Sequence, residues 1–193
     1  SVEKAPYTAY YPSAIADGVL PSVQEFNEDS PMEVPMVAKS STRQLYFSPV
    51  CGLLEFKLST SLEDVVVKSL DIFSDRPLCG KFTLDDNLDA LVSDGGGITL
   101  DCGSGVPLGQ DAKSFWVSVP PGDYSGVYVT MNAEGGRTQI FALKGGNTVK
   151  VLRGRVTSCP IELKSIVTPD EGEAYLPSGQ NFNIFLKALA NPD

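Results

Sequence analysis

Residues 115–124 have the sequence Phe-Trp-Val-Ser-Val-Pro-Pro-Gly-Asp-Tyr, and they indicate the fold class. The first five residues are rich in aromatic and β-branched side chains, which favour a β-strand. The Pro-Pro-Gly that follows ends the strand, because proline lacks the N–H that a sheet requires and glycine tolerates a tight turn. The segments on either side of this stretch repeat the same pattern of strand and turn.

Upstream of this stretch, apolar residues alternate as they do in half-buried strands. Leu54, Phe56 and Leu58 share one face of a predicted strand, and residues 45–47 show a similar strand-like pattern. Residues 65–73 predict a strand with a bulge or a bend, with the odd-numbered positions from 65 to 71 on one face. Further strands are predicted at residues 78–84 and 98–102, the second after the turn formed by three glycines at 95–97.

Downstream, residues 127–131 and 137–143 form two alternating runs joined by a glycine-containing loop, which predicts a hairpin. Short strands are also predicted at residues 149–152, 155–156 and 161–163. Strands at a spacing of about 8–12 residues, with no clear helix between them, are typical of a β-sandwich. We therefore predict an all-β protein of the Greek-key sandwich type.

The composition along the chain divides it into three parts. Residues 1–42 carry prolines at 6, 12, 21, 31 and 35, so we predict an extended, irregular segment that does not form a packed sheet. Its tyrosines at 7, 10 and 11 should be held against another part of the protein. Residues 43–166 are the predicted sandwich module. Residues 167–193 fit a helix or a strand, and are interpreted as the start of a second module or as an assembly strand.

Charge and hydropathy exclude two classes of partner. The net charge is −9 and the pI about 4.5, which argues against nucleic acid, since its recognition needs a basic surface. The densest basic group, Lys150, Arg153 and Arg155, is predicted to form a polar outer face, with a contact patch as the alternative. No apolar run approaches the roughly 20 residues of a membrane helix, so no membrane span is predicted.

The sequence contains no histidine, which removes the usual Ser–His and Cys–His nucleophiles and every His-ligated zinc site. Its four cysteines, at 51, 79, 102 and 159, form no Cys-x-x-Cys pair, so zinc-ribbon and thioredoxin-like sites are also excluded. Buried free thiols and at least one disulfide both remain open. We predict that the protein is not an enzyme and nominate no catalytic, cofactor-binding or metal-binding residue.

Three local patterns are similar to functional sites, but their residues indicate ordinary loops. Residues 85–89 open like a calcium loop, but Ala90 and Gly96 stand where an EF-hand needs glycine and glutamate. The glycines at 95–97 and 103–105 lack the Lys-Ser/Thr of a phosphate-binding loop. The neighbouring carboxylates at 63/64, 85/86 and 170/171 point to opposite faces wherever they lie on a strand, so no glycosidase pair is predicted. A hydrolase that uses Asp86 or Asp89 is the least favoured hypothesis.

Several motifs, taken in order, resemble the fimbrillin-like surface proteins of Bacteroidales. They are Tyr-Thr-Ala-Tyr-Tyr-Pro at 7–12, Leu-Pro at 20–21 with Gln24, Pro-Met-Val-Ala at 35–38, Leu-Tyr-Phe at 45–47 and Val-Cys-Gly-Leu-Leu-Glu-Phe at 50–56. The likeness continues with Ile72-Phe73 and Gly80, with the Pro-Pro stretch at 115–122 and with Val-Leu-Arg-Gly-Arg-Val at 151–156. It covers about residues 7–164.

The resemblance implies a transthyretin-like β-sandwich, exported as an outer-membrane lipoprotein of the cell surface. It implies a fimbrial (pilus) subunit or accessory protein that functions in adhesion and assembles by strand exchange with other subunits. Host or bacterial surface proteins or glycans would be the other partners. It also implies that residues 1–42 are the end of a longer N-terminal module. The alternative is a surface glycan-binding module with Tyr124 or Tyr128 as the sugar platform, whereas Trp116 is predicted to lie in the core.

Overall fold

The computed structural model describes residues 7–28, 34–143, 148–164 and 166, and within them the prediction of an all-β fold is confirmed. The helical content of this part is two short 3-10 turns, Ser13–Asp17 and Glu134–Gly136. The strands are β1 (Tyr7–Tyr11), β2 (Val19–Leu20), β3 (Val23–Glu25), β4 (Met36–Ser40), β5 (Ser48–Pro49), β6 (Gly52–Thr60), β7 (Val66–Ser74), β8 (Gly80–Leu84), β9 (Ala90–Asp94), β10 (Ile98–Pro107), β11 (Lys113–Val119), β12 (Gly122–Tyr124), β13 (Val127–Ala133), β14 (Thr138–Leu143), β15 (Val149–Val151) and β16 (Val156–Leu163).

Two of the sheets form the sandwich. One has the strand order β14-β13-β7-β10-β3 and the other the order β11-β6-β16, so strands distant in sequence lie side by side. Strand β6 pairs antiparallel with β11 and parallel with β16. Leu54, Phe56 and Leu58 of β6 are fully buried between the sheets, as their alternation predicts. The core is therefore the apolar layer between the two sheets.

The predicted bulge in β7 is confirmed, but the predicted face is wrong beyond it. Both neighbours of β7 skip Lys68, since Ser69 pairs with Asn132 and Val67 with Ala133. One extra residue reverses the direction of every side chain that follows. Ser69 and Asp71 are therefore not on the buried face with Val67, and the core receives the even-numbered residues from 70 to 72 instead.

A smaller layer packs at one end of the sandwich, and it corrects the prediction that residues 1–42 form no packed sheet. Strand β1 pairs with β4 over five positions, and β2 pairs with β8. The described prolines of this segment, Pro12, Pro21 and Pro35, lie between the strands, so none of them interrupts a ladder. Tyr10 packs against the second apolar cluster, which contains Ile15, Leu20, Val37, Val50, Cys51, Phe82 and Ala90.

Two further predictions have other outcomes: one is wrong and the other is not tested. Residues 45–47 are not a strand: they form an irregular loop in which Tyr46 is 73% exposed, because alternation without a partner strand gives no ladder. The predictions for residues 167–193 lie outside the described residues. Across the described ranges, neither 3-10 turn has the length and apolar character that a membrane span requires.

Candidate functional site

Strand β11 presents two chemically different faces. Phe115, Val117 and Val119 are buried in the sandwich core, and the Phe115 and Phe26 rings lie 5.1 Å apart, with their planes tilted at 43°. Trp116, half-buried, belongs to neither apolar cluster, so the prediction of a core tryptophan is wrong. It points outward because side chains alternate along a strand and its neighbours in sequence occupy the core.

The turn after β11 is fixed by a tyrosine. The Tyr124 hydroxyl donates to the Pro120 carbonyl oxygen at 2.6 Å, in the manner of the tyrosine corners of other β-sandwiches. Burial raises the pKa of Tyr124 although the Arg76 guanidinium, 5.4 Å from the ring centre, opposes the shift. With 1% of its surface exposed, Tyr124 cannot act as a sugar platform. Tyr128, the other residue proposed for that role, is half-buried in β13.

The free edge of β11 is held by one side chain. The Gln24 carboxamide donates to the Ser118 carbonyl at 2.9 Å and accepts the Ser118 N–H at 2.8 Å. Gln24 belongs to β3, which pairs with β10 in the opposite sheet. It therefore occupies, with a side-chain amide, the hydrogen-bonding position that one residue of an added strand would take. The chain at residues 23–26 closes this side of the sandwich.

A cavity of about 410 Å³ lies between this edge and the N-terminal layer. Trp116 and Ser118 form one wall, and the polar side chains of Gln24 and Glu25 lie at its border. The remaining walls are apolar: Pro12, Ala14, Ile15, Val19, Leu20, Pro21, Val23 and Pro35. The volume lies at the lower end of the range of about 300–1,000 Å³ that is typical of small-ligand sites.

One of the residues that line this cavity has a polar side chain without a hydrogen-bond partner. Ser118 is 7% exposed, and its hydroxyl has no hydrogen-bond partner in the described part of the protein. Its backbone groups are already bound to Gln24, so only the side chain is left over. A buried hydroxyl without a partner costs about 1–3 kcal/mol.

The architecture is similar to that of solved proteins. The model superposes on a candidate cell adhesion protein from Bacteroides ovatus with a TM-score of 0.52 and 12% sequence identity, covering 84% of this chain. The fold is that of a solved Bacteroides protein. The chain spans 65% of that protein's length, and at this identity the likeness establishes the shared fold alone.

A second similar structure, a candidate cell adhesion protein from Bacteroides uniformis, has a TM-score of 0.45 and 16% identity, covering 84% of this chain and 72% of that one. No family model matches the sequence. No curated protein matches it either. The likeness to the fimbrillin-like family therefore stays a prediction.

The acidic loop at residues 85–89 is held together by its own backbone. The Asp85 carboxylate accepts the N–H groups of Asn87 and Asp89, both at 2.8 Å. Asp89 forms an ion pair with Arg153 at 2.9 Å, and Arg153 also donates to the Pro49 carbonyl. These acids are used in a turn and an ion pair, and the described residues contain no cluster of three or more His, Cys, Asp or Glu arranged for a metal.

The other predicted loops are also structural. Gly95 lies so close to the Cys79 carbonyl that a Cβ would be 1.6 Å from its oxygen, which explains the glycine there. Residues 103–105 lie in the bulge of β10, beside a shallow depression of about 540 Å³ that is bordered by Glu28 and Lys113. Those two side chains form an ion pair at 2.7 Å. The hydrogen bond and charge of Lys113 lower the pKa of Glu28.

All four cysteines are free thiols. Cys51, Cys79 and Cys102 are buried, and the Cys79 thiol donates to the Gly97 carbonyl at 3.0 Å. Burial raises the pKa of Cys51 to about 12, and burial together with the Asp101 charge does the same for Cys102. Cys159 is half-buried, and its pKa is raised by burial and by Glu55. Such thiols are poor nucleophiles, because the thiolate is the reactive form.

The sequence did not point to Gln24 and Ser118 as partners. Residues 94 positions apart carry no local signal of their contact, and serine in a strand is common. A second missed group is Glu55, on the outer face of β6, which is 7% exposed and accepts hydrogen bonds from Ser114, at 2.8 Å, and from Ser158. Its neighbours across the strands are Trp116 and Ser158, so it lies beside the cavity wall that Trp116 forms.

Proposed function

We propose that this chain is a non-catalytic adhesion module of a bacterial cell surface, and specifically a fimbrial subunit or accessory protein that assembles by strand exchange. The shared fold with a candidate adhesion protein of Bacteroides and the motif likeness to fimbrillin-like proteins both favour this proposal. Export to the outer membrane as a lipoprotein belongs to the same proposal. The structural observation that carries it is one unprotected edge of the sandwich.

That edge is strand β14. Its six residues, Thr-Gln-Ile-Phe-Ala-Leu, contain no charge and no proline. All six are half-buried, and among the described residues only β13 pairs with the strand. Natural proteins protect such edges with charges, proline or a covering segment, because an uncharged edge recruits other strands. An uncharged free edge therefore favours pairing with another chain.

The other three sandwich edges are short or protected, which makes β14 the exception. Strand β3 is three residues long and includes one charged residue. Leu53 donates its N–H to the Arg155 carbonyl, so the odd-numbered residues of β16 face β6 and its even-numbered residues face outward. One of the outward residues is Pro160, which has no N–H to offer. On β11, Gln24 already occupies the outward groups of Ser118.

The backbone direction in β14 identifies the groups that a new strand would meet. Ala133 donates to the Arg137 carbonyl, so residues 137, 139, 141 and 143 face β13. The N–H and C=O groups of Thr138, Ile140 and Ala142 therefore point outward. The Gln139 side chain donates to the Ile140 carbonyl at 3.0 Å, and an incoming strand would displace that bond.

Residues 167–193 are the proposed donor. Phe182, Ile184 and Leu186 alternate in the sequence, so in extended form they place three apolar side chains on one face. A donor segment of one subunit and the β14 edge of the next give a head-to-tail contact. Such contacts generate rings or open chains of subunits.

The test uses two full-length variants. Ile140→Pro removes one outward N–H of the acceptor edge, where proline is tolerated because that group does not serve the native ladder. Ile184→Asp puts a charge on the apolar face of the proposed donor. Each variant alone is expected to be monomeric by analytical ultracentrifugation, whereas the wild type and the control Ile140→Val form concentration-dependent oligomers.

Mixing the two variants separates strand exchange from other association. Ile140→Pro retains its donor and Ile184→Asp its acceptor, so an equimolar mixture should form dimers that stop there. Oligomers of Ile140→Pro equal to those of the wild type would exclude the β14 edge as the acceptor. A wild-type chain that stays monomeric at all accessible concentrations would contradict assembly itself.

A further inference from the structure

We propose that the cavity between the Ser13–Asp17 turn and strand β11 binds a neutral amphiphile, a molecule with an apolar body and a single hydroxyl or carbonyl group. This site is distinct from the β14 edge and does not depend on subunit assembly. Three features define the ligand: the apolar walls, one unsatisfied hydroxyl, and the sign of the charge at the border.

The walls require an apolar body. Ile15 and Leu20 come from the second apolar cluster, and the Trp116 indole faces them from the outer side of β11. Three prolines complete the lining, and proline side chains offer no donor or acceptor. A cavity of about 410 Å³ with such walls favours a ligand that removes apolar surface from water.

The polar groups of the lining allow one ordinary hydrogen bond to a ligand. Both atoms of the Gln24 carboxamide are committed to the Ser118 backbone, so this side chain orients the wall and is not available to a ligand. The Ser118 hydroxyl is unpartnered, and its oxygen is covered in this structure, so it reaches a ligand by rotation about the Cα–Cβ bond. A hydroxyl both donates and accepts, so it can bind an alcohol or a carbonyl oxygen. A sugar, with hydroxyls on all sides, would leave most of its own groups unpaired.

The charge excludes an anionic ligand. Glu25 is the charged residue of the lining, and it lies exposed at the border of the cavity. The whole chain carries a net charge of −9, so the surrounding field also repels anions. A carboxylate entering this site would lose its hydration beside a like charge. A neutral alcohol has no such penalty.

The protein carries its own probe, because Trp116 is the single tryptophan of the chain and forms part of the cavity wall. Titration of the full-length chain with 1-octanol is expected to change its tryptophan fluorescence in a saturable manner. Octanoate at neutral pH, with the same chain length and a negative charge, should bind at least about ten-fold more weakly. Methyl β-glucoside should give no saturable change.

Two variants locate the site. Ser118→Ala removes the hydroxyl and should weaken 1-octanol binding about five-fold, the effect of one ordinary hydrogen bond, while leaving the free energy of unfolding the same or higher. Ala14→Phe fills the cavity from an exposed position and should abolish binding. Ser104→Ala, on the exposed bulge of β10, is the matched control and should bind as the wild type does.

Each opposite result overturns the proposal. Undiminished binding by Ala14→Phe would place the ligand elsewhere, and equal binding of octanol by Ser118→Ala and wild type would remove the hydroxyl from the site. Saturable binding of the glucoside in place of the alcohol would make this a sugar site. No fluorescence response to 1-octanol, with the fold intact by circular dichroism, would mean that the cavity takes no such ligand.

Discussion

The Gln24 side chain forms two hydrogen bonds to the backbone of Ser118, a residue 94 positions further along the chain. Through this contact a three-residue strand of one sheet closes the edge of the other. The same contact fixes the cavity wall, since Ser118 is one of the residues that line the cavity. A side-chain amide suits this role because it has both a donor and an acceptor, as a peptide group does.

Replacing Gln24 by alanine should destabilise the protein by about 1–3 kcal/mol. The change removes both hydrogen bonds and leaves the Ser118 N–H and C=O groups without partners on a largely buried residue. Urea denaturation measures the effect. Gln44→Ala, at an exposed loop position, is the control and should change stability by less than about 0.5 kcal/mol. Equal stability of the two variants would mean that the edge of β11 needs no protection.

Tyr124→Phe should destabilise the protein by about 1 kcal/mol. It retains the buried ring and loses the bond from the hydroxyl to the Pro120 carbonyl. The matched control is Tyr46→Phe, because Tyr46 is 73% exposed and should be indifferent to the change. Thermal and urea unfolding of both variants give the comparison. A loss of stability at position 46 as large as that at 124 would contradict the tyrosine corner.

Stability should fall in acid partly through Asp75. Burial raises the pKa of this carboxyl, but hydrogen bonds from Ser125 and Ser74 outweigh it, so the pKa lies below its ordinary value of 3.8. A depressed pKa in the folded state contributes stability above pH 3.8, and that stability is lost as the pH falls through the folded value.

The variant Asp75→Asn tests this contribution. Its urea midpoint should be lower than that of the wild type at pH 6, and the difference should shrink as the pH falls below 3.8. Asp111→Asn, in an exposed loop, is the control and should run parallel to the wild type. A difference between Asp75→Asn and wild type that stays constant from pH 6 to pH 2 would exclude the ionised carboxylate as its cause.

The four thiols should be slow to react in the native protein. At pH 8 Cys51 and Cys102 are protonated, since their pKa values are raised to about 12. Labelling with Ellman's reagent should modify Cys159 first, as the half-buried member, and the three buried thiols at the rate of opening of the fold. In denaturant without reductant all four should react. Fewer than four would show that a disulfide forms.

The sequence alone predicted the strands that have neighbours in the sandwich. Such neighbours give each residue of a strand a fixed direction, toward the core or away from it. The alternation of Leu54, Phe56 and Leu58 is sufficient for β6, because each of the three is buried in the sandwich core. It failed at residues 45–47, where the pattern exists and the partner strand does not. It also failed beyond Lys68, since one bulged residue reverses the faces of the strand without changing the composition.

The candidate site depends on strand pairing, which local sequence patterns do not reveal. Trp116 lies among apolar residues in the sequence, which favours a core position, yet pairing of β11 with β6 directs its side chain outward. In the N-terminal segment, proline density indicated an irregular chain. The ladder between β1 and β4 forms because the described prolines lie between the strands.

From its own residues the chain determines an all-β fold, an acidic surface and the absence of histidine chemistry, because these follow from composition and from a period of two. The tertiary structure decided which edge is closed and which is open. That choice depends on Gln24 reaching Ser118 and on β14 having no described neighbour beyond β13. Contacts between residues far apart in sequence are set by the packing of the two sheets, and no short segment encodes them.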